Sequence, residues 1–209
     1  AIDLRSDYAV ARADLAEALL ATGQKDLAKE QVNELYRLAT TESVSLANSV
    51  AHDILKPKIQ YLDIARSTFN PLGGVDTPVA SLDPSLATPG AMVTMTMTFQ
   101  FNQDMDLASV QNVLNWSITR AHGGDAGVYN NGVTLDPSRD VTLGPIPTRV
   151  GYDPVNQRAT VYFKVSQNAL GNARLDPRHW VFGFHGVDAS GRTMDPDGDE
   201  FDWYAAHSF

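Results

Sequence analysis

Two hydrophobic periods run along this chain, one after the other. In the first 39 residues apolar side chains recur every three to four positions, with Leu15, Leu19 and Leu27 set among many alanines. That spacing predicts amphipathic helices, and Ala and Leu are strong helix formers. Ser6 or Asp7 is placed to cap the first helix, and Gly23 supplies the left-handed residue that ends it. A second helix is expected over residues 25–39, burying Leu27, Ala28, Val32, Leu35 and Leu38. A third runs from a Thr40-Thr41 cap to residue 55, with Val44, Leu46, Ala47, Val50, Ala51 and Ile54 inward. Pro57, which lacks an N–H, stops it, and residues 59–69 read as one more helical stretch. From residue 93 the period drops to two: Val93, Met95, Met97, Phe99 and Phe101 alternate with Thr94, Thr96, Thr98 and Gln100. This predicts a half-buried strand with its threonines in solvent. Further strands are expected over 116–120, 141–143, 159–165 and 180–184, separated by Asn130-Asn131-Gly132, Asp136-Pro137, Asp153-Pro154 and Asp176-Pro177.

Composition moves in step with the period. Of 15 glycines and 11 prolines, only Gly23 and Pro57 lie before residue 70. Three parts are therefore expected: a helical segment over 1–69, a Pro/Gly-rich connector over 70–88, and a β-sandwich over 89–209, an α+β chain overall. Residues 15–28 resemble the turn of a tetratricopeptide hairpin, but no second copy follows at the 34-residue period that a superhelix needs. An ordinary hairpin or bundle of three to four helices is the expectation.

Charge and cysteine content narrow the partners. With 16 basic against 25 acidic side chains the net charge is −9, a field that repels nucleic-acid phosphates and anionic membrane surfaces. The chain has no cysteine, which removes disulfides, thiolate metal sites and cysteine nucleophiles. No apolar run approaches the roughly 18 residues of a membrane span. The Ala1 start and the missing thiols fit a processed, exported protein, secreted or held at a prokaryotic cell surface.

Four blocks of the second half resemble the bacterial Ig-like domain of surface-layer proteins and adhesins. Phe99-Gln100-Phe101-Asn102-Gln103-Asp104-Met105-Asp106-Leu107-Ala108-Ser109-Val110 is similar to that family's strand followed by F-S-x-P-M-D-x-x-S-V. Asn115-Trp116-Ser117-Ile118 is similar to its N-F-x-L strand, and the stretch from Tyr152-Asp153-Pro154 to Thr160-Val161-Tyr162-Phe163 to its turn and strand. The run from His179 to Arg192 resembles Y-x-V-x-V-x-G-V-x-D-x-A-G-N. Gln103 stands where the family often has Pro, and Arg192 where it has Asn; both departures read as cosmetic. Residues 121–150 form a longer insertion, the expected seat of individual function. The resemblance implies an antiparallel Ig-like β-sandwich and a non-catalytic module of exported assemblies.

Candidate chemistry is sparse. Asp195, Asp197, Asp199, Glu200 and Asp202 crowd one loop, which is either a solvated acidic loop or a structural Ca²⁺ site, since Ca²⁺ takes six to eight oxygens from such flexible segments. Asp104 and Asp106 form a carboxylate pair with the spacing of a glycosidase acid and nucleophile, without an identifiable aromatic sugar platform. His179 and His185 lack metal-ligand spacing, and His179, Asp188 and Ser190 lack the G-x-S-x-G elbow of a hydrolase. Asn115-Trp116-Ser117 is a glycosylation sequon inside an expected strand. The helices' apolar residues, Leu15, Leu19, Leu27, Val32 and Leu35, are the candidate assembly surface. The expected function is a non-enzymatic secreted subunit of a filament, pilus-like fibre or surface layer. It would self-associate, or bind other surface proteins, through its helical segment. The alternative is a monomeric adhesion module using the loops of residues 121–150.

Overall fold

A computed structural model of the chain describes residues 8–120 and 136–201, and these fall into two compact units that part at Lys56 and Pro57. The first holds three helices: α1 (Ala9–Ala21), α2 (Lys25–Leu38) and α3 (Thr41–Ile54). Their buried positions are spaced by three and four: Ala9, Arg12, Ala13 and Ala16 on α1, Ala28, Val32 and Leu35 on α2, and Ser43, Ala47, Val50 and Ile54 on α3. Ala16, Ala28, Leu35 and Ala47 are sealed from solvent. Alanines at the contacts let the helices approach closely, and Leu35 is the largest fully buried side chain described in the unit, worth roughly 1.5–3 kcal/mol of burial. Polar bridges fix the packing between neighbours: Arg12 Nη1 donates to Gln31 Oε1 at 3.0 Å, and Tyr36 Oη to Asn48 Oδ1 at 2.8 Å.

The ends of the helices follow local chemistry. Gly23 adopts φ +77 as expected. Thr40 begins α3 with a capping box, its Oγ1 accepting from Ser43 N while Ser43 Oγ accepts from Thr40 N, both at 3.1 Å. Tyr8 stands at the cap position of α1 and makes no side-chain capping bond there; Ser6 and Asp7 lie outside the described residues. Two inward expectations fail, since Leu27 and Val44 are exposed.

The second unit is an antiparallel sandwich. Its strands are β1 (Ile59–Leu62), β2 (Thr77–Pro78), β3 (Met92–Phe101), β4 (Trp116–Arg120), β5 (Arg149–Asp153), β6 (Arg158–Ser166), β7 (Arg174–Leu175), β8 (Trp180–Phe184) and β9 (Glu200–Phe201). One short helix, α4 (Leu107–Gln111), precedes β4. Among the described residues the sheets are β1-β3-β6-β5, β4-β8-β9 and the two-stranded β2-β7. Rings from the first two sheets meet in the core: Phe99 lies 5.5 Å from Phe182, Phe101 5.4 Å from Phe184, and Phe163 5.3 Å from Phe182, centroid to centroid. Alternation puts these side chains on one face of each sheet, so both sheets bury the same period-two stripe.

The structure departs from three expectations. Residues 59–69 form no α-helix: α3 ends at Ile54, Leu55 is already extended, Lys56 is disfavoured in helix because Pro57 follows, Ile59–Leu62 joins the sheet beside β3, and Ile64–Arg66 make a single 3₁₀ turn. Thr98 and Gln100 are buried, Thr98 under the segment after β1 and Gln100 against the turn that leads into β6. Thr98 Oγ1 donates to Arg66 O and Thr98 N to Ser67 Oγ, while Gln100 Nε2 donates to Asn156 O. Residues 141–143 form no strand; Val141 N makes one bond to Arg174 O, and Leu143 is buried. The Asn130-Asn131-Gly132 turn lies outside the described residues.

Candidate functional site

The best-organised polar cluster of the β unit surrounds Asp188, which is 1% exposed. Its Oδ2 accepts from Gln103 Nε2 at 2.6 Å and from Arg192 Nε at 2.7 Å. Its Oδ1 accepts from the backbone N–H groups of Ser190 and Arg192 at 2.9 and 2.8 Å. Arg192 Nη2 sits 2.7 Å from the same carboxylate. The two positions that depart from the family pattern, Gln103 and Arg192, thus converge on one buried anion and are not cosmetic. A charge withdrawn from water needs such a full set of donors. The knot ties the loop after β3 to the turn after β8, and Ala189 N adds a bond to Asp104 O.

The remaining candidates are spent on the fold in a similar way. Asp106 Oδ1 caps α4 by accepting from Ser109 N at 2.6 Å, and Asp104 Oδ1 accepts from Gln157 Nε2 at 2.8 Å, so each carboxylate holds a turn. His179 Nδ1 lies 3.1 Å from Asp176 Oδ2, while both oxygens of Asp188 are taken by Gln103, Arg192 and the Ser190 and Arg192 N–H groups. His185 Nδ1 faces Asp199 Oδ2 at 3.2 Å. Asn115 Nδ2 donates to Ser109 O and Oγ, which occupies the amide that a glycan would need.

The acidic loop is divided by its partners. Asp195 Oδ1 accepts from Asp197 N, Asp195 N donates to Pro57 O, Asp199 turns to His185, and Glu200 lies exposed on β9. Among the described residues no group of three or more His, Asp or Glu side chains is placed to hold a metal ion. Asp202, His122, His207 and residues 121–135 of the insertion lie outside the described residues.

No protein-family model and no curated protein matches this chain. The similar solved structures are those of a bacterial surface-layer protein. The N-terminal part of the bacterial S-layer protein SbsC aligns at a TM-score of 0.45 and 15% identity, covering 93% of this chain and 37% of that one. SbsC domains 1–6 align at 0.45 and 16%, and rSbsC(31-844) at 0.43 and 14%; each match covers 93% of this chain and 21% of the other. The chain therefore spans between a fifth and two fifths of these structures.

The proposed assembly residues split by burial. Val32 and Leu35 are consumed by the three-helix core and Leu19 packs against it, while Leu15 and Leu27 stay exposed. Sequence reasoning missed a cleft of about 200 Å³ beyond the end of β6, lined by Pro78, Ala80, Arg139, Gly171, Ala173 and Arg174. These residues come from three separate stretches of the chain, around β2, before β5 and around β7, with no shared periodicity, so only the fold assembles them. Among the described residues Arg139 Nε is buried there without a hydrogen-bond partner.

Proposed function

We propose that this protein is a non-enzymatic structural subunit of a bacterial extracellular assembly, a surface layer or filament, and that its helical unit supplies a contact between subunits. The observation that carries the reading is the apolar surface left outside the helical core: Leu15, Leu27, Tyr36 and Val44 are each at least about a third exposed although the core is already closed. Apolar area of that kind gains free energy when covered, in proportion to area, and needs no chemistry. The sequence blocks that resemble surface-layer Ig-like domains support the same reading. So do the carboxylates of the β unit, whose bonds hold turns and loops together.

Size-exclusion chromatography with light scattering, followed by negative-stain microscopy, tests it. The full chain is expected to form concentration-dependent oligomers with a regular repeat. A single 22.7 kDa species at millimolar concentration would overturn the reading. The pair Leu15→Lys and Leu27→Lys is expected to shift assembly to at least tenfold higher protein concentration while leaving the helical circular-dichroism signal unchanged, since both side chains face out.

A further inference from the structure

Strand β6 carries an apolar knob at one end and the Arg139 cleft at the other. The knob is the turn of residues 153–157 that leads into β6. Val155 at its tip is 89% exposed. A lone exposed valine is ordinary on a protein surface; this one is held rigidly. Asp153 Oδ1 accepts from the N–H groups of Val155 and Asn156, Asp153 Oδ2 accepts from Asn156 Nδ2 at 2.6 Å, and Gln157 is bonded to Asp104. The tip is therefore preorganised and flanked by two carboxylates, Asp104 and Asp153. The Asn156 amide keeps the Asp153 carboxyl below its usual pKa, so that it stays ionised.

The cleft offers the complement. Small and ring side chains, Pro78, Ala80 and Ala173, with Gly171, form apolar walls, and Arg139 and Arg174 bring positive charge. Arg174 shares its charge with Asp76 at 3.0 Å, and Arg139 Nε has no hydrogen-bond partner among the described residues. We propose that the Val155 tip of one copy seats in this cleft of a second copy, head to tail, with Asp153 and Asp104 turned toward Arg139 and Arg174. A nine-residue strand separates knob from cleft, roughly 30 Å at the usual rise of a strand, so the tip cannot reach its own cleft. A contact between two different patches of the same molecule propagates from copy to copy, as a filament where its rotation stays open and as a ring where it closes. The inference rests on the reading of the chain as an assembling subunit and adds a second contact, independent of the helical one.

The absence of cysteine makes a clean test. In the full chain, the double variant Val155→Cys with Ala80→Cys is expected to give, on mild oxidation, a non-reducing ladder of dimers, trimers and longer species. Either single variant should stop at dimers. A double variant that yields nothing beyond the single ones overturns the contact. Non-covalently, Val155→Lys and Arg139→Glu are each expected to raise the concentration for assembly at least tenfold, with Ala80→Trp as a second block of the cleft and unchanged melting temperatures as the folding control. Mixed one to one, the Val155→Lys and Arg139→Glu chains retain one good knob and one good cleft between them, and should pair as dimers without extending through this contact. If the wild type assembles and both variants assemble equally well, the head-to-tail contact is wrong and the structural reading stands. If the wild type stays monomeric throughout, both fall.

Discussion

Asp188 shows how much one side chain can organise. Removing the carboxylate takes the shared acceptor from Gln103, Arg192 and two backbone N–H groups, so Asp188→Ala is expected to cost roughly 1–3 kcal/mol, read as the shift in urea unfolding. Gln103 and Arg192 were visible in sequence as deviations from a family pattern, but not as partners: 89 residues separate them, and only the fold shows one anion between them. Asp153 gives a pH-dependent counterpart. Its folded pKa lies below that of the unfolded chain because the Asn156 amide and two backbone N–H groups donate to the carboxylate. Its stabilising contribution is therefore complete above the unfolded value of about 4 and is lost as pH falls through the lower folded one. The stability difference between wild type and Asp153→Asn should be measurable at neutral pH and vanish in acid. An undiminished difference near pH 2 would contradict this assignment.

Among the elements, the α2–α3 junction concentrates local design. Ala39 ends α2 in the left-handed region at φ 54, a conformation that costs a non-glycine residue about 1–2 kcal/mol, and Thr40 then opens the capping box of α3. Ala39→Gly is expected to raise the melting temperature of the chain, and Thr40→Ala to lower stability by about 0.5–2 kcal/mol. The capping threonine was legible because Thr before an apolar run is a local signal. The left-handed alanine was not, since nothing in the residue type announces it. The same contrast holds for the strands. Residues 116–120 and 180–184 were read with their observed bounds, and β3 to within one residue, because each carries its own alternation or apolar run. Strand β1 was misread as helix: Ile59-Gln60-Tyr61-Leu62 carries no decisive period, and its state is set by β3, about 40 residues away. Strands β2, β7 and β9 have two residues each and owe their pairing wholly to their neighbours.

For the whole molecule, long-range repulsion competes with short-range contact. Subunits of charge −9 repel one another at low ionic strength, and the Debye length falls from about 30 Å at 0.01 M salt to about 10 Å at 0.1 M. Assembly is therefore expected to begin at lower protein concentration as salt rises through that range, followed by light scattering; the opposite trend would mean that attraction between unlike charges dominates encounter. The α+β order was legible from the change of period alone, whereas the cleft was not, because its residues lie on distant stretches whose convergence is a property of the closed sandwich. Directly after Lys56 the chain is clamped to the β unit: Pro57 O accepts from Asp195 N, Lys58 N donates to Asn102 Oδ1, and Ile59 N donates to Gly198 O. A pulling force entering through the helices thus meets these bonds, and a fourth from Asn102 N to Lys58 O, within three residues before it can peel β1 from β3. Under tension this clamp would act as the mechanical fuse of the β unit, and Asn102→Ala should lower its rupture force in single-molecule stretching.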